Sequence, residues 1–221
     1  MRAYAVEGLD CSGKKTVARL VRDQLLRSGI DAAIVIGPLA GGRLRRLDGA
    51  LANITVPVPR GSATDRLRRA LYVAEPVIDG LACRGGSAPV LKVSTHFRAW
   101  ARAEMEDDRW MARAYALTAP AQVRFAGAAL LSADFGVRLR RHAADAAAGR
   151  TAKVASRRFL GPDPDAFAAW HRTLDALMSA RIPCLLRLDT SRAEPDQLAG
   201  LIARHAIACW GRAGISAPEP A

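Results

Sequence analysis

The sequence predicts an α/β protein with three layers, in which helices cover both faces of a central parallel sheet of about five strands. Short apolar runs of strand composition alternate with segments of helical periodicity, as in repeated strand-helix-strand units. The chain has 221 residues, enough for one domain that buries roughly 70% of its unfolded surface. We expect this domain at residues 1–211 and a disordered tail at 212–221, where little apolar surface offsets the cost of ordering.

The elements follow in order along the chain. Strands are predicted at 3–6, 32–36, 90–93, 123–131 and 184–188, where apolar runs are short and bounded by turn residues. Helices are predicted at 14–27, 64–81, 98–106, 109–117, 135–147, 164–180 and 194–209, most of them bounded by Gly, Pro, Asp or Ser. Because ligands of such sheets bind beyond the carboxyl ends of the strands, the loop after the first strand is expected at the rim of the functional cleft.

That first loop carries the strongest functional signal, the stretch Gly8-Leu9-Asp10-Cys11-Ser12-Gly13-Lys14-Lys15-Thr16. A glycine turn between a strand and a helix aims backbone N–H groups and the positive end of the helix at one point, where Lys14, expected to be an exposed loop lysine, adds a charge. The match to G-x-x-x-x-G-K-[ST] is incomplete, because Lys15 replaces the hydroxyl residue that normally binds magnesium and Thr16 comes one position late. The stretch predicts a phosphate site of P-loop NTPase type and supports a metal ligand less. A glycine turn that opens a helix without any ligand is the alternative.

Cysteine usage and charge narrow the class of protein. The four cysteines lack paired C-x-x-C spacing and no signal segment or membrane-length apolar run occurs, so we expect a reduced, cytoplasmic protein without a membrane partner. The net charge of +12 comes mostly from arginines scattered through helical segments, whereas a nucleic-acid-binding tract is denser, so nucleic acid is not expected as a partner. Solvated helix faces or attraction of polyanionic substrates both explain this charge. Cys11 either fills its loop position or is an oxidisable thiol with a depressed pKa.

The segment Tyr4-Ala5-Val6-Glu7-Gly8-Leu9-Asp10 and the loop after it resemble the opening of thymidylate kinases, a strand followed by E-G-[IL]-[DE]-x-x-G-K-x-T. Further segments are similar to that family in order and approximate spacing: Leu71-Tyr72-Val73-Ala74, Val93-Ser94-Thr95-His96-Phe97, Ala133-Asp134 with Leu139-Arg140-Arg141, and Asp189-Thr190-Ser191-Arg192. The resemblance covers most of the chain, although only the first motif is specific. Some members of the family are similar in carrying a basic residue after the loop lysine and a threonine next.

This resemblance implies transfer of the γ-phosphoryl group of ATP to a nucleoside monophosphate, with Mg²⁺ and usually as a homodimer. It implies that Lys14 holds the β- and γ-phosphates, and that Thr16, or Asp10 through a water, holds Mg²⁺. Arg141 and the turn Thr190-Ser191-Arg192 match positions that flank adenine in similar kinases, with a solvated helix face and an ordinary turn as the alternative. The full set predicted to bind ATP is Gly8, Asp10, Cys11, Ser12, Gly13, Lys14, Lys15, Thr16, Arg141, Thr190, Ser191 and Arg192.

Residues 148–162 form a glycine-flanked basic connection at the place where the resembled family has its lid. In some members that lid supplies the catalytic arginine. Arg150 and Lys153 are therefore predicted, together with Lys14, to act on the transferring phosphate, because phosphoryl transfer needs mainly positioning and charge neutralisation. An exposed loop that composition alone makes basic is the alternative.

The acceptor side departs from the family pattern. Thymidylate kinases carry R-E-P-G-G after the second strand, an arginine in the helix that faces the acceptor phosphate, and D-R-[YFH] after the third strand. This chain has Ile36-Gly37-Pro38-Leu39-Ala40-Gly41-Gly42, Glu75-Pro76 and Thr95-His96-Phe97 at those places. Each lost arginine contact removes about 1.5–3 kcal/mol. We therefore expect another nucleotide or a small metabolite as acceptor. Arg43, Arg98 and Arg102 are the candidates to replace the missing phosphate-binding arginines.

Several residues near this predicted acceptor site have two interpretations. His96 either donates to a phosphate when protonated or packs at the strand end. Phe97 and Trp100 either stack on a base or belong to the core. The acidic run at 104–108 is interpreted as a solvated turn between helices in preference to a metal cluster. The predicted acceptor set is Pro38, Arg43, Thr95, His96, Phe97, Arg98, Trp100 and Arg102. An authentic but divergent dTMP kinase and a non-catalytic nucleotide-binding protein are the alternatives to a kinase with a changed acceptor.

Overall fold

The computed structural model of the chain describes residues 2–39, 61–83, 88–149 and 163–212. Within these ranges five strands form one parallel sheet in the order β2-β3-β1-β4-β5. The strands are β1 (Arg2–Gly8), β2 (Ala33–Ile36), β3 (Pro89–Val93), β4 (Gly127–Ser132) and β5 (Leu185–Asp189). The predicted α/β class and the parallel sheet of five strands are confirmed.

Seven α-helices accompany the sheet in the described ranges. They are α1 (Lys14–Arg27), α2 (Ala63–Cys83), α3 (His96–Met105), α4 (Arg109–Thr118), α5 (Phe135–Ala147), α6 (Pro164–Ser179) and α7 (Pro195–Arg212), with a 3₁₀ turn at Ala119–Ala121 after α4. The predicted helices are all present, with ends that differ by a few residues. No helix among the described residues has both the length and the apolar character needed to cross a membrane.

The three inner strands β3, β1 and β4 are buried on both faces of the sheet, which is why the central strand β1 reads as an almost continuous apolar run. Ala3 and Ala5 of β1 belong to a core that includes Trp100 of α3 and Leu174 of α6. The alternate residues of β1 belong to a second core, which β1 forms with α1 and α7. This core includes Tyr4 and Val6 of β1, Val17 and Val21 of α1, and Ile202 and Ala206 of α7. This arrangement is compatible with the predicted three layers.

Three of the differences between the predicted and observed element ends have a local reason. β4 begins at Gly127 and not at residue 123, because the N–H of Val123 donates to Pro76 O at 2.8 Å and so turns away from the sheet. α3 begins at His96, since Thr95 caps it and accepts from the N–H of Phe97 at 3.3 Å. Arg212, predicted to begin the tail, instead ends α7, and the rest of that tail lies outside the described residues.

The parallel register places the carboxyl ends of all five strands at one edge of the sheet. The first loop (residues 8–13) leaves the central strand β1 at this edge and leads into α1. The turns after β3, β4 and β5 meet it there. Residues that are far apart in sequence therefore surround the first loop.

Candidate phosphate-binding site

The backbone of the first loop has a conformation that few residue types adopt readily. Three of its residues have positive φ angles, Gly8 at 152°, Cys11 at 61° and Gly13 at 84°. A Cβ atom on Gly8 would collide with the carbonyl oxygen of Leu131 and lie 2.6 Å from Ser12 Oγ, so the position requires glycine. Cys11 is a non-glycine residue in the left-handed region, and such positions are concentrated at functional sites.

Lys14 is the first residue of α1, and its side chain folds back over the loop. Its Nζ donates to Gly8 O at 2.7 Å and to Leu9 O at 2.9 Å. The sequence suggested an exposed lysine, but Lys14 is only 8% exposed. Burial, with the nearby charge of Arg98, lowers the pKa of Lys14 from 10.5 to about 8. The loop thus holds an ammonium group that is charged at neutral pH and lies against backbone carbonyls.

Ser12 supplies a buried hydroxyl group that can donate a hydrogen bond to a phosphate oxygen. The residue is 1% exposed, and its Oγ has no hydrogen-bond partner within the described part of the chain. Buried hydroxyl groups are normally satisfied, so one without a partner at this place can bind a ligand oxygen. In addition, no described side chain caps the start of α1. The helix terminus and Ser12 together suit an anion.

Two residues predicted to flank adenine brace the first loop from outside. Arg141 of α5 donates to Cys11 O at 3.2 Å and to Thr190 O at 2.6 Å. Thr190, which follows β5 and is 3% exposed, has its Oγ1 within hydrogen-bond distance of Ser12 O and Ser132 O, at 3.2 and 2.9 Å. These contacts fix loop carbonyls and engage none of the N–H groups of the loop, of which that of Ser12 donates to Leu9 O at 3.3 Å.

Arg138 is a loop contact that the sequence reasoning missed. It is completely buried in α5, its Nε donates to Asp10 O at 2.7 Å, and its guanidinium lies 3.7 Å from the ring centroid of Phe167. Burial lowers the pKa of Arg138 to about 10, which still leaves it charged at neutral pH. The signal was its spacing, because residues i and i+3 share a helix face and Arg141 was already predicted at the site.

The residues predicted to hold Mg²⁺ fit a metal less well than the loop fits phosphate. Thr16 and Lys15 are exposed on α1. Asp10 forms an ion pair with Arg98 of α3. No group of three or more His, Cys, Asp or Glu residues that could hold a metal occurs among the described residues. The metal ligand therefore stays a prediction, and we derive no step through it.

Cys11, the remaining ambiguous loop residue, is half-buried. Burial raises the pKa of its thiol above the ordinary value, with the charge of Asp10 as a further cause. A raised pKa means less thiolate at neutral pH. The observation favours Cys11 as a small side chain that fills the loop over an oxidisable thiol with a depressed pKa.

Thr95 stands where the resembled family has aspartate, and it binds Glu7 of the central strand. Its Oγ1 donates to Glu7 Oε2 at 2.7 Å, and its backbone N–H donates to the same oxygen. The other oxygen, Glu7 Oε1, accepts from the N–H of Gly8 at 2.9 Å. The buried carboxylate of Glu7 therefore joins the end of β3 to the start of the first loop.

Phe97 and Trp100, predicted as base-stacking or core residues, lie in the core. They are 3% and 2% exposed. Trp100 stacks on Tyr115, with ring centroids 5.5 Å apart, and its Nε1 donates to Glu104 at 3.0 Å. The geometry favours a packing role for both.

His96 packs among the same aromatic residues. Its ring lies 4.3 Å from that of Phe97, and its Nε2 is buried without a partner among the described residues. Burial, followed by the charge of Lys92, lowers the pKa of His96 to about 3. The ring is therefore neutral at physiological pH, and this favours packing over phosphate binding by a protonated ring.

A buried lysine of β3, which the sequence reasoning did not single out, ties three elements together. Lys92 is 2% exposed, and its Nζ lies 3.2 Å from Glu75 Oε1 and 3.2 Å from Asp79 Oδ2 of α2. It also donates to Gly37 O after β2. Glu75 lies in the helix where the resembled family has an arginine that faces the acceptor phosphate. In this chain the carboxylate of Glu75 neutralises Lys92 instead.

The remaining predicted residues are spread around this edge. Pro38 is buried directly after Gly37, and Arg102 pairs with Glu106 at 2.7 Å. Ser191 accepts from the N–H of Asp134 at 2.7 Å, and Arg192 is exposed. Three predicted residues and the lid lie outside the described residues: Arg43, Arg150, Lys153 and most of 148–162.

Comparison with models of known protein families gives no match, and comparison with functionally characterised proteins finds no relative of significant similarity. The similarity to thymidylate kinases therefore stays a prediction. It depends on the first loop and on the order of the segments quoted above.

Proposed function

We propose that this protein is an ATP-dependent phosphotransferase of the thymidylate kinase-like type, with an acceptor other than the usual nucleotide. One observation supports this most: the first loop combines a required glycine at position 8, a buried Ser12 hydroxyl without a partner among the described residues, and the buried ammonium group of Lys14. Backbone N–H groups at a helix start and one cation are what a triphosphate tail needs.

The residues around the loop have distinct roles in this proposal. Lys14 exchanges its two carbonyl partners for phosphate oxygens and neutralises the charge that spreads over the transferred group. Arg138, Arg141 and Thr190 position the loop by holding its carbonyls. ATP supplies the γ-phosphoryl group. The Mg²⁺ requirement and the homodimer are part of the proposal through the resemblance alone.

The acceptor side supports a change of substrate. Two positions at which the family pattern has phosphate- or substrate-binding groups hold internal contacts in this chain, Glu75 with Lys92 and Thr95 with Glu7. A nucleoside monophosphate would meet the partly exposed carboxylate of Glu75 near this edge, although Lys92 partly neutralises it. An authentic dTMP kinase needs its acceptor arginines from elsewhere in the chain.

A coupled assay of ADP formation tests the proposal. Purified protein is given ATP, Mg²⁺ and a panel of monophosphates and small metabolites, and a separate reaction contains dTMP. We expect turnover with at least one panel member other than dTMP, and a loss of about 10²- to 10³-fold in Lys14→Met. Lys15→Met is the matched control, because this neighbouring lysine is exposed and should contribute far less.

The results of this assay separate three functions. Turnover with dTMP that disappears in Lys14→Met would instead establish a divergent dTMP kinase. Nucleotide binding without turnover on any panel member would favour a non-catalytic nucleotide-binding protein. Absence of both binding and turnover would refute the proposal.

A further inference from the structure

A cavity of about 420 Å³ lies at the carboxyl edge of the sheet, beside the first loop and away from the predicted acceptor residues. The ends of β4 and β5 form its floor, and the start of α5 and one face of α6 form its walls. Its volume is within the range of small-ligand sites. The lining residues that matter for recognition are Asp134, Phe135, Phe167, His171, Arg172 and Asp189.

Two contacts join this cavity to the first loop. Arg138 spans the gap, because its Nε donates to Asp10 O and its guanidinium lies over the ring of Phe167, which lines the cavity. On the other side, Asp189 is followed directly by Thr190, whose Oγ1 lies 3.2 Å from Ser12 O. A molecule in the cavity would therefore be a neighbour of the phosphate held by the loop.

The lining has a charge that disfavours a phosphorylated acceptor. Among the described lining residues, it presents two carboxylates, Asp134 and Asp189, and one cation, Arg172. Hydrogen bonds from Ser191 lower the pKa of Asp189, so that this carboxylate stays ionised at neutral pH. A monophosphate dianion would meet these two carboxylates, although the charges of Arg192 and Arg141 also act on Asp189, whereas hydroxyl groups can donate to both carboxylates.

The rest of the lining suits a flat, partly polar ring. Phe135 and Phe167 form one side, with ring centroids 6.0 Å apart and planes tilted by 42°. His171 lines the cavity as well, and its Nε2 is buried with no partner in the described part of the chain. Burial lowers the pKa of His171 below its ordinary value, which keeps the ring neutral. Aromatic side chains and a neutral imidazole favour an uncharged ring over an anion.

We propose that this cavity binds the phosphoryl acceptor, and that the acceptor is an alcohol with a planar ring and no phosphate group. The inference rests on the proposed function. In the reaction, the acceptor hydroxyl oxygen forms a bond to the γ-phosphorus of ATP, and the bond from that phosphorus to the β,γ-bridging oxygen breaks. ADP leaves, and the hydroxyl proton passes to the carboxylate of Asp134 and then to water.

The test is a thermal-shift series on the full chain with matched pairs of probes, with and without ADP. The pairs are thymidine and dTMP, uridine and UMP, adenosine and AMP, and pyridoxine and its 5′-phosphate. We expect at least one alcohol to raise the melting temperature by several degrees, because a ligand that binds the native state stabilises it. Its phosphorylated partner should give a clearly smaller shift at the same concentration.

Two variants of α6 locate the binding. Ala168→Trp fills the cavity and should abolish the response to the alcohol while leaving the response to ADP. Ala176→Trp adds the same side chain at an exposed position of the same helix and should retain both responses. Each variant is first shown to unfold cooperatively, so that loss of a response cannot reflect misfolding.

Three results would overturn the inference. In the first, a monophosphate stabilises the protein at least as well as its alcohol, and in the second, no alcohol gives a response. In the third, the Ala168→Trp variant loses the response to ADP as well, which would assign the cavity to the nucleotide donor. Failure of the proposed function has a different signature, which is either no response of the wild-type protein to ADP or a response to ADP without turnover in the coupled assay. The alcohol series without nucleotide still tests the cavity in that case.

Discussion

The first loop and the ends of β2 and β3 use their polar side chains in opposite ways. Around the first loop, Arg138, Arg141 and Thr190 point at backbone carbonyls, and the buried hydroxyl of Ser12 has no partner among the described residues. At the ends of β2 and β3, Lys92 is surrounded by carboxylates and Thr95 binds Glu7. The first region suits an anion, whereas the second satisfies its own charges.

This contrast teaches that motifs in the same order as those of a known family do not predict every part of a binding site. A phosphate loop is made mainly of backbone, so a short motif can specify it. An acceptor site is made of side chains from several elements, and replacing three of them changes the charge that a substrate meets. The predictions below test each side of the contrast, from the largest expected effect to the smallest.

The largest effect concerns Phe97, which was predicted as either a base-stacking or a core residue. Since it is 3% exposed, Phe97→Ala should lower the free energy of unfolding by about 3–5 kcal/mol, as measured by chemical denaturation. The control is Leu117→Ala, because Leu117 is 72% exposed and its truncation should cost less than about 0.5 kcal/mol. A loss below 1 kcal/mol for Phe97→Ala would show that the side chain is not core and would reopen a role in binding.

Gly8→Ala tests the first loop. The new methyl group would meet Leu131 O and Ser12 Oγ at a positive φ angle, so we expect a loss of stability of about 2–4 kcal/mol together with weaker nucleotide binding. Gly29→Ala is a matched control, since Gly29 also has a positive φ, 75°, but nothing within 4 Å of the added atom. It should cost about 1 kcal/mol and leave binding unchanged. Equal losses in both variants would mean that the tight approach at Gly8 does not exist.

The pH dependence of stability tests the packing of His96. Its pKa is about 3 in the folded protein and 6.5 in the unfolded chain, so between these values only the unfolded state binds the proton. Stability should therefore fall as the pH falls from 6.5 to 3, with a slope of at most about 1.4 kcal/mol per pH unit from this residue. His96→Gln should remove that part of the slope in urea titrations at pH 7, 6, 5 and 4. An unchanged slope would place the imidazole in solvent, where it could serve a ligand.

The smallest effect is expected at Arg102, predicted as a substitute for a missing acceptor arginine. It pairs with Glu106 one helical turn away, and both side chains are partly exposed at 31% and 40%. Arg102→Ala should change the free energy of unfolding by only about 0.3–0.5 kcal/mol. Turnover with the acceptor found in the coupled assay should also be unaffected. A loss of turnover of tenfold or more would return Arg102 to the acceptor site.

The fold and the first loop were predictable from the sequence because their signals are local. Alternating apolar runs and helical periodicity predicted all five strands, and the glycine spacing predicted the turn that now carries positive φ angles at Gly8 and Gly13. The contact between Thr95 and Glu7 was not predictable, because these residues are separated by 88 positions and meet only when β3 pairs with β1. A contact between residues so far apart in sequence leaves no periodic pattern from which a single sequence could predict it.

Two misjudged residues show the same limit at closer range. Lys14 was expected to be exposed, yet its aliphatic stem is buried and its Nζ is bound by loop carbonyls, a fold-back that depends on the local backbone. Arg138 reads as one more arginine on a helix face, although it is completely buried against Phe167 of α6. Composition suggests solvated arginines, and only tertiary packing distinguishes the buried one.

Direct titration of the protein with ATP tests the central claim, that the first loop holds a triphosphate through backbone N–H groups and Lys14. Calorimetry on wild type, Lys14→Met and Lys15→Met compares the buried lysine with its exposed neighbour. We predict saturable binding to wild type, nearly the same affinity in Lys15→Met, and at least tenfold weaker binding in Lys14→Met. No binding to wild type, or equal binding to all three proteins, would contradict the account.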